Sequence, residues 1–322
     1  MIPERTPAVV IEAPGEVAVR ELDLEPPGAS DVVVEIDFSG VSTGTEKLLW
    51  SGRMPPFPGL GYPLVPGYES VGRIIGAGAA AEARIGQSVF VPGSSGFRGA
   101  RGLFGGAARF VVAASARVVT IPESLGERGV LLALAATARH AIAGGAPPDL
   151  IVGHGVLGRL LARLAVADGA APTVWEINPK RRDGARGYAV IEPQADPRRD
   201  YRAIYDVSGD AGLIDTLVAR LARGGEIVLA GFYEARPSFD FAPAFMREAR
   251  LRIAAEFTPT DLAGVLAQAT SGALDLTDLI THHAPALEAA SAYSVAFTDP
   301  DCLKLCIDWR SSQEPRLSAA SA

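Results

Sequence analysis

The chain has 322 residues and a formal net charge of −7, with 48% hydrophobic and 21% charged residues, a balance that suits a globular protein with room for two domains and a sizeable core. The negative charge, with no basic run interleaved with aromatic residues, argues against nucleic acid as a partner. The most apolar run, 130–143, is interrupted by Arg139 and His140 and is too short to cross a bilayer, so no stable membrane insertion is expected.

The opening residues are polar and lead into strand-like sequence, so no secretory leader is expected and a cytoplasmic location is. Short runs of strand character recur at 8–12, 17–21, 32–38, 70–75, 88–91 and 108–112, separated by turns such as Pro26-Pro27-Gly28 and Pro92-Gly93. They predict a β-rich first part. After Pro122 the texture changes: helical stretches at 126–143, 159–167 and 213–221 alternate with apolar strands at 150–152, 173–176, 189–191, 203–207, 226–231 and 252–257. Six strands with helices between most of them predict an α/β, doubly wound parallel sheet. A helix at 261–271 leads to a return segment at 303–309, and the tail from 311 is small and polar. Cys302 and Cys306 are too few for a cysteine zinc site and read as reduced packing residues.

The stretch 150–158, Leu-Ile-Val-Gly-His-Gly-Val-Leu-Gly, joins a strand to a helix through Gly153, Gly155 and Gly158, with His154, Val156 and Leu157 between them. That is the spacing of a dinucleotide-binding turn. One glycine makes the tight turn, one lets a pyrophosphate approach the backbone, and one lets helix and strand pack closely; the helix N-terminus then offers N–H groups to phosphate. Glycine-rich turns are common, and this one gains weight from Glu176, 18 positions after Gly158 at the end of the next strand. A carboxylate there accepts the ribose hydroxyls of NAD and repels the 2′-phosphate of NADP, so NAD is expected. Lys180, Arg181 and Arg182 pull the other way unless they are a solvated helix start. Val207 and Ser208 end a strand at the sheet's carboxyl edge, where they are expected to line the nicotinamide side. His154 has two readings: a backbone facing pyrophosphate, or an exposed loop side chain with no chemical role. His140, His282 and His283 lack metal-ligand spacing and read as packing or surface residues.

A β-rich start, an inserted dinucleotide-binding domain and a C-terminal return is the order of the medium-chain dehydrogenases and reductases, and four stretches carry the resemblance. Residues 38–46, Phe-Ser-Gly-Val-Ser-Thr-Gly-Thr-Glu, look like the segment that bears the first metal-ligand cysteine in the zinc members. Residues 64–72, Leu-Val-Pro-Gly-Tyr-Glu-Ser-Val-Gly, are similar to the family's proline-glycine-histidine-glutamate stretch; 153–158 resemble its coenzyme turn, and 224–231, ending at Gly231, the later strand that meets the nicotinamide. The resemblance implies a Rossmann domain at 124–257 inserted in a GroES-like catalytic domain made of 1–123 and 258–322. It also implies that Lys304 reaches the coenzyme phosphates. A homodimer paired through the last strand of the coenzyme sheet is expected as well, and 251–257 alternates suitably for such an edge. Three stretches, 49–70, 101–106 and 205–209, resemble a narrower branch, the members that oxidise bacteriochlorophyllides. That likeness implies a small-molecule chlorin substrate whose C3 1-hydroxyethyl group is oxidised to acetyl in bacteriochlorophyll a biosynthesis.

A zinc alcohol dehydrogenase lowers the pKa of its alcohol by holding the oxygen on a metal with one open position. The residues at the matching ligand positions are Ser42, Tyr68 and, from 131–137, Ala133, and no four-cysteine lobe lies between 92 and 104. No metal is therefore expected, and a zinc-independent dehydrogenase is. The alcohol's proton then needs another acceptor: Tyr68 supported by Glu69, with Ser42, Thr43 and Thr45 as relays. Tyrosine has an ordinary pKa of about 10, so this role calls for a partner that favours phenolate. The same residues also read as filling, with Tyr68 capping a backbone group and Glu69 paired with an arginine. The apolar, proline-rich loop 50–64, with Trp50, Met54 and Phe57, is a candidate chlorin surface or a rigid connection; Arg53, Arg98 and Arg101 are candidate partners for a propionate. Two other functions fit the sequence: a zinc-free quinone or enone reductase using NADPH, and a non-catalytic NAD-binding sensor or scaffold.

Overall fold

In the computed structural model, which describes residues 2–56 and 58–310, strands dominate as far as Thr120. They are β1 (Arg5–Ala13), β2 (Glu16–Leu24), β3 (Asp31–Val41), then after helix α1 (Thr45–Ser51), β4 (Ser70–Ala77), β5 (Ser88–Val91), β6 (Phe97–Arg98), β7 (Phe110–Ala114) and β8 (Val119–Thr120). Helices and strands follow: α2 (Leu132–Ala143), β9 (Leu150–Val152), α3 (Val156–Ala167), β10 (Thr173–Trp175), β11 (Ala189–Ile191), β12 (Tyr201–Asp206), α4 (Ile214–Arg220), β13 (Leu221–Leu229), α5 (Phe241–Met246), β14 (Arg250–Ile253) and α6 (Pro259–Ser271). The return consists of β15 (His282–Pro285), α7 (Ala289–Thr298) and β16 (Leu305–Asp308).

Two compact units result. One takes its described residues from 2–52, 56, 58–130 and 282–310, the other from 53–55 and 131–281. The segment 258–281, expected with the first unit, is counted in the second because α6 packs on α2. Proline at the first helical position and a Thr258–Asp261 capping box start α6, and Gly272 in the left-handed region ends it.

The first unit holds a three-stranded sheet, β1-β2-β6, and a seven-stranded one, β15-β16-β3-β4-β5-β8 with β7 also paired to β3. Val9, Val10, Val32, Val33, Val34 and Ile36 are fully buried in its core, so β3 carries apolar side chains on both faces. The return brings β16 antiparallel to β3, with Leu305 opposite Val41, and this seats the last strand beside residues near the start of the chain. Helix α7 has no counterpart in the sequence reading. It buries Ala289, Ala292, Tyr293, Ala296 and Phe297, and mostly alanine at those positions gives a weak apolar period.

The second unit is built on a six-stranded sheet in the order β11-β10-β9-β12-β13-β14, parallel throughout. The chain runs outward from β9 to β11, then crosses to β12 on the other side of β9, which places the topological switch point at the carboxyl ends of β9 and β12. Leu150, Ile151, Ala203, Ile204 and Tyr205 are fully buried, as expected for central strands covered on both faces. The last strand is β14, Arg250–Ile253, earlier than the expected 252–257. Among the described residues β10 and β11 are joined without an α-helix, by a 3-10 turn at Pro179–Arg181 and a loop. No helix of the described residues is long and apolar enough to cross a membrane.

Candidate functional site

At the switch point the chain leaves β9 through Gly153, whose φ of +104° favours glycine. Gly155 then N-caps the twelve-residue α3. A Cβ at Gly158 would overlap the Gly153 carbonyl oxygen, so only glycine lets the helix sit this close to the strand; a Cβ at Gly155 would meet nothing within 4 Å. An open glycine at a helix N-terminus suits a dinucleotide diphosphate, which needs close approach to backbone N–H groups. Val156 is buried and Leu157 half-buried in the first turn of the helix. The neighbouring strand end converges here: a Cβ on Gly153 would come 3.4 Å from Ser208 N, and one on Gly231 3.3 Å from Val207 Cα. Ser208 donates its hydroxyl to Asp206 Oδ1 at 2.6 Å, and Tyr233 donates to Asp206 Oδ2 at 2.8 Å. Burial pushes the Asp206 carboxyl up from its ordinary range. The Asp206–Tyr233 pair was not anticipated, because no motif spacing links the two residues.

Glu176, buried at the end of β10, accepts from the backbone N–H of Asn178 at 2.7 Å and of His154 at 3.0 Å. Both readings of His154 need correction. Its side chain is fully buried rather than exposed, and its backbone N–H is committed to Glu176 rather than open to pyrophosphate. Arg182 donates to the carbonyls of Glu176 and Ile177 and pairs with Glu192 at 3.3 Å. Arg159 donates to the carbonyls of His154, Arg181 and Asp183.

The first unit gathers a polar cluster from α1 and the turn before it, the approach to β4, α7 and the approach to β16. The Tyr68 hydroxyl donates to Ser42 Oγ at 2.7 Å and is also hydrogen-bonded to Thr45. Ser42 donates its backbone N–H to Glu46 Oε1 at 3.2 Å, and Tyr293 donates to Glu46 Oε2 at 2.8 Å. Tyr68 and Thr45 are partly exposed, whereas Ser42, Glu46, Glu69, Tyr293 and Lys304 are buried behind them. Thr43, half-buried, takes no part in these bonds. The expected phenolate character of Tyr68 is contradicted: burial and the Glu69 charge push its phenol well above the ordinary range. Glu46 is instead the group moved toward neutral pH, its carboxyl raised to about 8 by burial and by the Glu69 charge.

Lys304 is also corrected. Its Nζ donates to Glu69 Oε2 at 2.6 Å inside the first unit, with both side chains buried, so the ammonium is held by a carboxylate instead of extending to coenzyme phosphates. The partner of Glu69 is thus a lysine and not an arginine. A Cβ at Gly40 would overlap Glu69 Oε2, so the carboxylate occupies space that only glycine leaves. Glu69 Oε1 is buried and has no hydrogen-bond partner among the described residues, and burial raises this carboxyl while Lys304 opposes the rise.

The ligand positions of a zinc site hold donors that do not fit the metal. The Ser42 and Tyr68 hydroxyls bond to each other, and Ala133 offers a buried methyl group. Among the described residues no group of three or more histidine, cysteine, aspartate or glutamate side chains is placed to hold a metal ion. Of the candidate substrate residues, Trp50 packs its ring on Phe297 at 5.4 Å and joins the core of the first unit. Arg53 pairs with Glu234 at 3.1 Å in the second unit, and Met54 is half-buried. Phe57 lies outside the described residues. Arg98 is taken by a two-point bond to Glu25, while the Arg101 side chain lies across Gly61, where a Cβ would come 2.6 Å from its Nε.

Residues 28–123 match the alcohol dehydrogenase GroES-like domain. The chain is 58% identical over 312 residues to the 2-desacetyl-2-hydroxyethyl bacteriochlorophyllide A dehydrogenase of Rhodobacter capsulatus, covering 96% of this chain and 99% of that protein. It is 56% identical to the protein of the same name from Cereibacter sphaeroides, again over 96% and 99% of the two chains. Among solved structures it resembles acetophenone reductase from Geotrichum candidum in complex with NAD (18% identity, TM-score 0.83, 97% of this chain and 100% of that one). A dehydrogenase from Sinorhizobium meliloti bound to NADP is also similar (19% identity, TM-score 0.79, 95% and 100%). At that identity the two structures bear on the fold alone.

Proposed function

The chain belongs to the bacteriochlorophyllide dehydrogenase family of GroES-like alcohol dehydrogenases, and from that premise we propose that it oxidises the C3 1-hydroxyethyl group of a bacteriochlorophyllide to acetyl, with NAD and without zinc. The observation that carries the reading is the 58% identity across nearly the whole of both chains. Bound NAD would supply a hydride acceptor for the hydrogen of the alcohol carbon. Gly153, Gly155 and Gly158 would give its diphosphate a close backbone, Glu176 would take the ribose hydroxyls, and Val207, Ser208 and Gly231 would border the nicotinamide side. The commitments of Arg182 and Arg159 to carbonyls and to Glu192 support NAD over NADP, since a 2′-phosphate would need such cations to be available.

The alcohol's proton passes to the Tyr68 oxygen as the Tyr68 proton moves to Ser42 Oγ; the Ser42 proton reaches Glu46 once the Ser42 hydroxyl turns to that carboxylate, whose Oε1 in the structure accepts the Ser42 backbone N–H. Tyr68 acts as a neutral relay, and Glu46 is the base at the end of the line. Burial and then the Glu69 charge raise the proton affinity of Glu46, while Lys304, paired with Glu69 behind the relay, opposes the rise. The product ketone joins the conjugation of the macrocycle, which favours the forward direction. Arg101, beside the apolar loop, is the propionate partner we favour, because Arg98 and Arg53 pair with Glu25 and Glu234.

The reading is tested with the hydroxyethyl pigment and metal-stripped protein, followed by absorbance as the acetyl group conjugates. We expect turnover with NAD at full rate without added metal; a strict need for zinc would refute the metal-free mechanism. Glu176→Ala should lower the preference for NAD over NADP by about tenfold or more, the value of a charge-assisted hydrogen bond. A wild-type enzyme faster with NADP would reject the coenzyme assignment.

A homodimer is part of the proposal. Strand β14 ends the six-stranded sheet, and Phe241, Phe245, Met246 and Ile253 are 72%, 65%, 73% and 70% exposed beside it, an apolar edge that a second copy would cover. Sedimentation should give a dimer for the wild type and a monomer for Ile253→Asp. A monomeric wild type would count against it.

A further inference from the structure

The loop from Ile177 to Tyr188 is long for a connection between neighbouring parallel strands and has no α-helix to satisfy its backbone, so its ties must come from elsewhere. They converge on His154. The imidazole Nδ1 lies 2.6 Å from the Arg181 carbonyl oxygen and Nε2 lies 2.8 Å from the Tyr188 hydroxyl. The two rings meet edge-on with centroids 5.5 Å apart. A carbonyl only accepts, so Nδ1 carries the proton and Nε2 accepts from Tyr188. Burial lowers the imidazole's pKa to about 4, and the ring therefore keeps this single neutral tautomer around neutral pH. One rigid side chain bonds two points of the loop seven residues apart in sequence.

The backbone of the same residue completes the arrangement. Its N–H donates to Glu176 Oε2, and its carbonyl accepts from Arg159 Nε at 3.1 Å. Arg159 continues to the carbonyls of Arg181 at 3.0 Å and Asp183 at 2.8 Å. Gly184, at φ +79°, leaves the room that this guanidinium occupies. The glycine turn, the Glu176 carboxylate and the loop after β10 are thus joined through one residue, which the dinucleotide motif itself does not require to be histidine.

We propose that His154 is a positioning residue for coenzyme selection: it latches the 177–188 loop to the glycine turn and so holds the Glu176 carboxylate in place for the adenosine ribose hydroxyls. The inference rests on the NAD reading above. It needs a donor and an acceptor on opposite sides of one ring. Alanine supplies neither, asparagine restores a donor toward the Arg181 carbonyl, and Tyr188→Phe removes only the hydroxyl.

The test uses the full chain as wild type, H154A, H154N and Y188F, with kcat and KM for NAD and NADP at saturating pigment, KM for the pigment, and direct NAD binding. H154A should raise KM for NAD about tenfold, leave kcat and the pigment KM nearly unchanged, and narrow NAD over NADP discrimination by a similar factor, the scale of one or two lost hydrogen bonds. H154N should recover part of that loss, and Y188F should show a smaller shift in the same sense. Discrimination and NAD affinity within about twofold of wild type in H154A would overturn the inference. So would an equal loss for both coenzymes and the pigment, which marks damage to folding; if H154A does not fold, H154N and Y188F decide by the same criteria. A wild-type preference for NADP is read before any variant is compared, and that result overturns the NAD assignment and this inference with it.

Discussion

Phenylalanine in place of Tyr68 should lower kcat for the hydroxyethyl pigment by roughly 10²- to 10⁴-fold, the scale of general acid–base assistance, with KM for NAD unchanged. The substitution removes one oxygen and keeps the ring, which packs edge-on against Phe104 with centroids 5.0 Å apart, so the loss reports the hydroxyl and not the fold. The pH profile separates a relay from a phenolate base. Burial and Glu69 raise the Tyr68 phenol, so Tyr68 stays neutral over the working range and contributes no limb of its own. In the proposed route Glu46 takes the proton as carboxylate, and its carboxyl is raised to about 8 by burial and by the Glu69 charge. The rate kcat/KM should therefore climb as pH rises through about 8 and level off above it. In Glu46→Gln that limb should vanish together with most of the rate. A Tyr68→Phe enzyme within a few-fold of wild type, or the same pH limb in Glu46→Gln, would rule out the proposed route.

Methionine in place of Lys304 should cost about 3–5 kcal/mol of unfolding free energy, as expected when one partner of a buried ion pair is removed. Glu69 is fully buried, its Oε1 has no partner among the described residues, and its Oε2 would lose the ammonium. Few domains have more than about 5–15 kcal/mol to lose, so the single variant should unfold at much lower urea than wild type. The double variant Glu69→Gln with Lys304→Met should regain much of the loss, since removing both charges spares the fold an unpaired ion. A single variant within about 1 kcal/mol of wild type would mean that water or protonation already compensates Glu69.

These two predictions turn on side chains of different legibility. Tyr68 stands at a motif position and was singled out by the residue types missing there. Glu46 lies in the quoted 38–46 stretch but carries no spacing signal of its own; its partner Tyr293 is 247 positions away. The family resemblance points Lys304 to coenzyme phosphate, and nothing in the sequence links it to Glu69, 235 positions away. His154 has two readings from the sequence, and neither holds, because its side-chain partners, Arg181 and Tyr188, sit on a loop with no periodicity.

What the sequence determined alone is what local pattern can encode. Strand runs and turn chemistry specify the β-rich part, the apolar runs specify the six parallel strands, and the glycine spacing specifies the strand-to-helix turn, since each depends on residues within one or two elements. Tertiary structure decided which charges meet. Lys304 reaches Glu69 because β16 pairs antiparallel with β3, and Glu46 meets Tyr293 because α7 packs in the first unit's core. A buried charge is tolerated only beside a partner, and that partner is chosen by strand order and packing, which no spacing along the chain records.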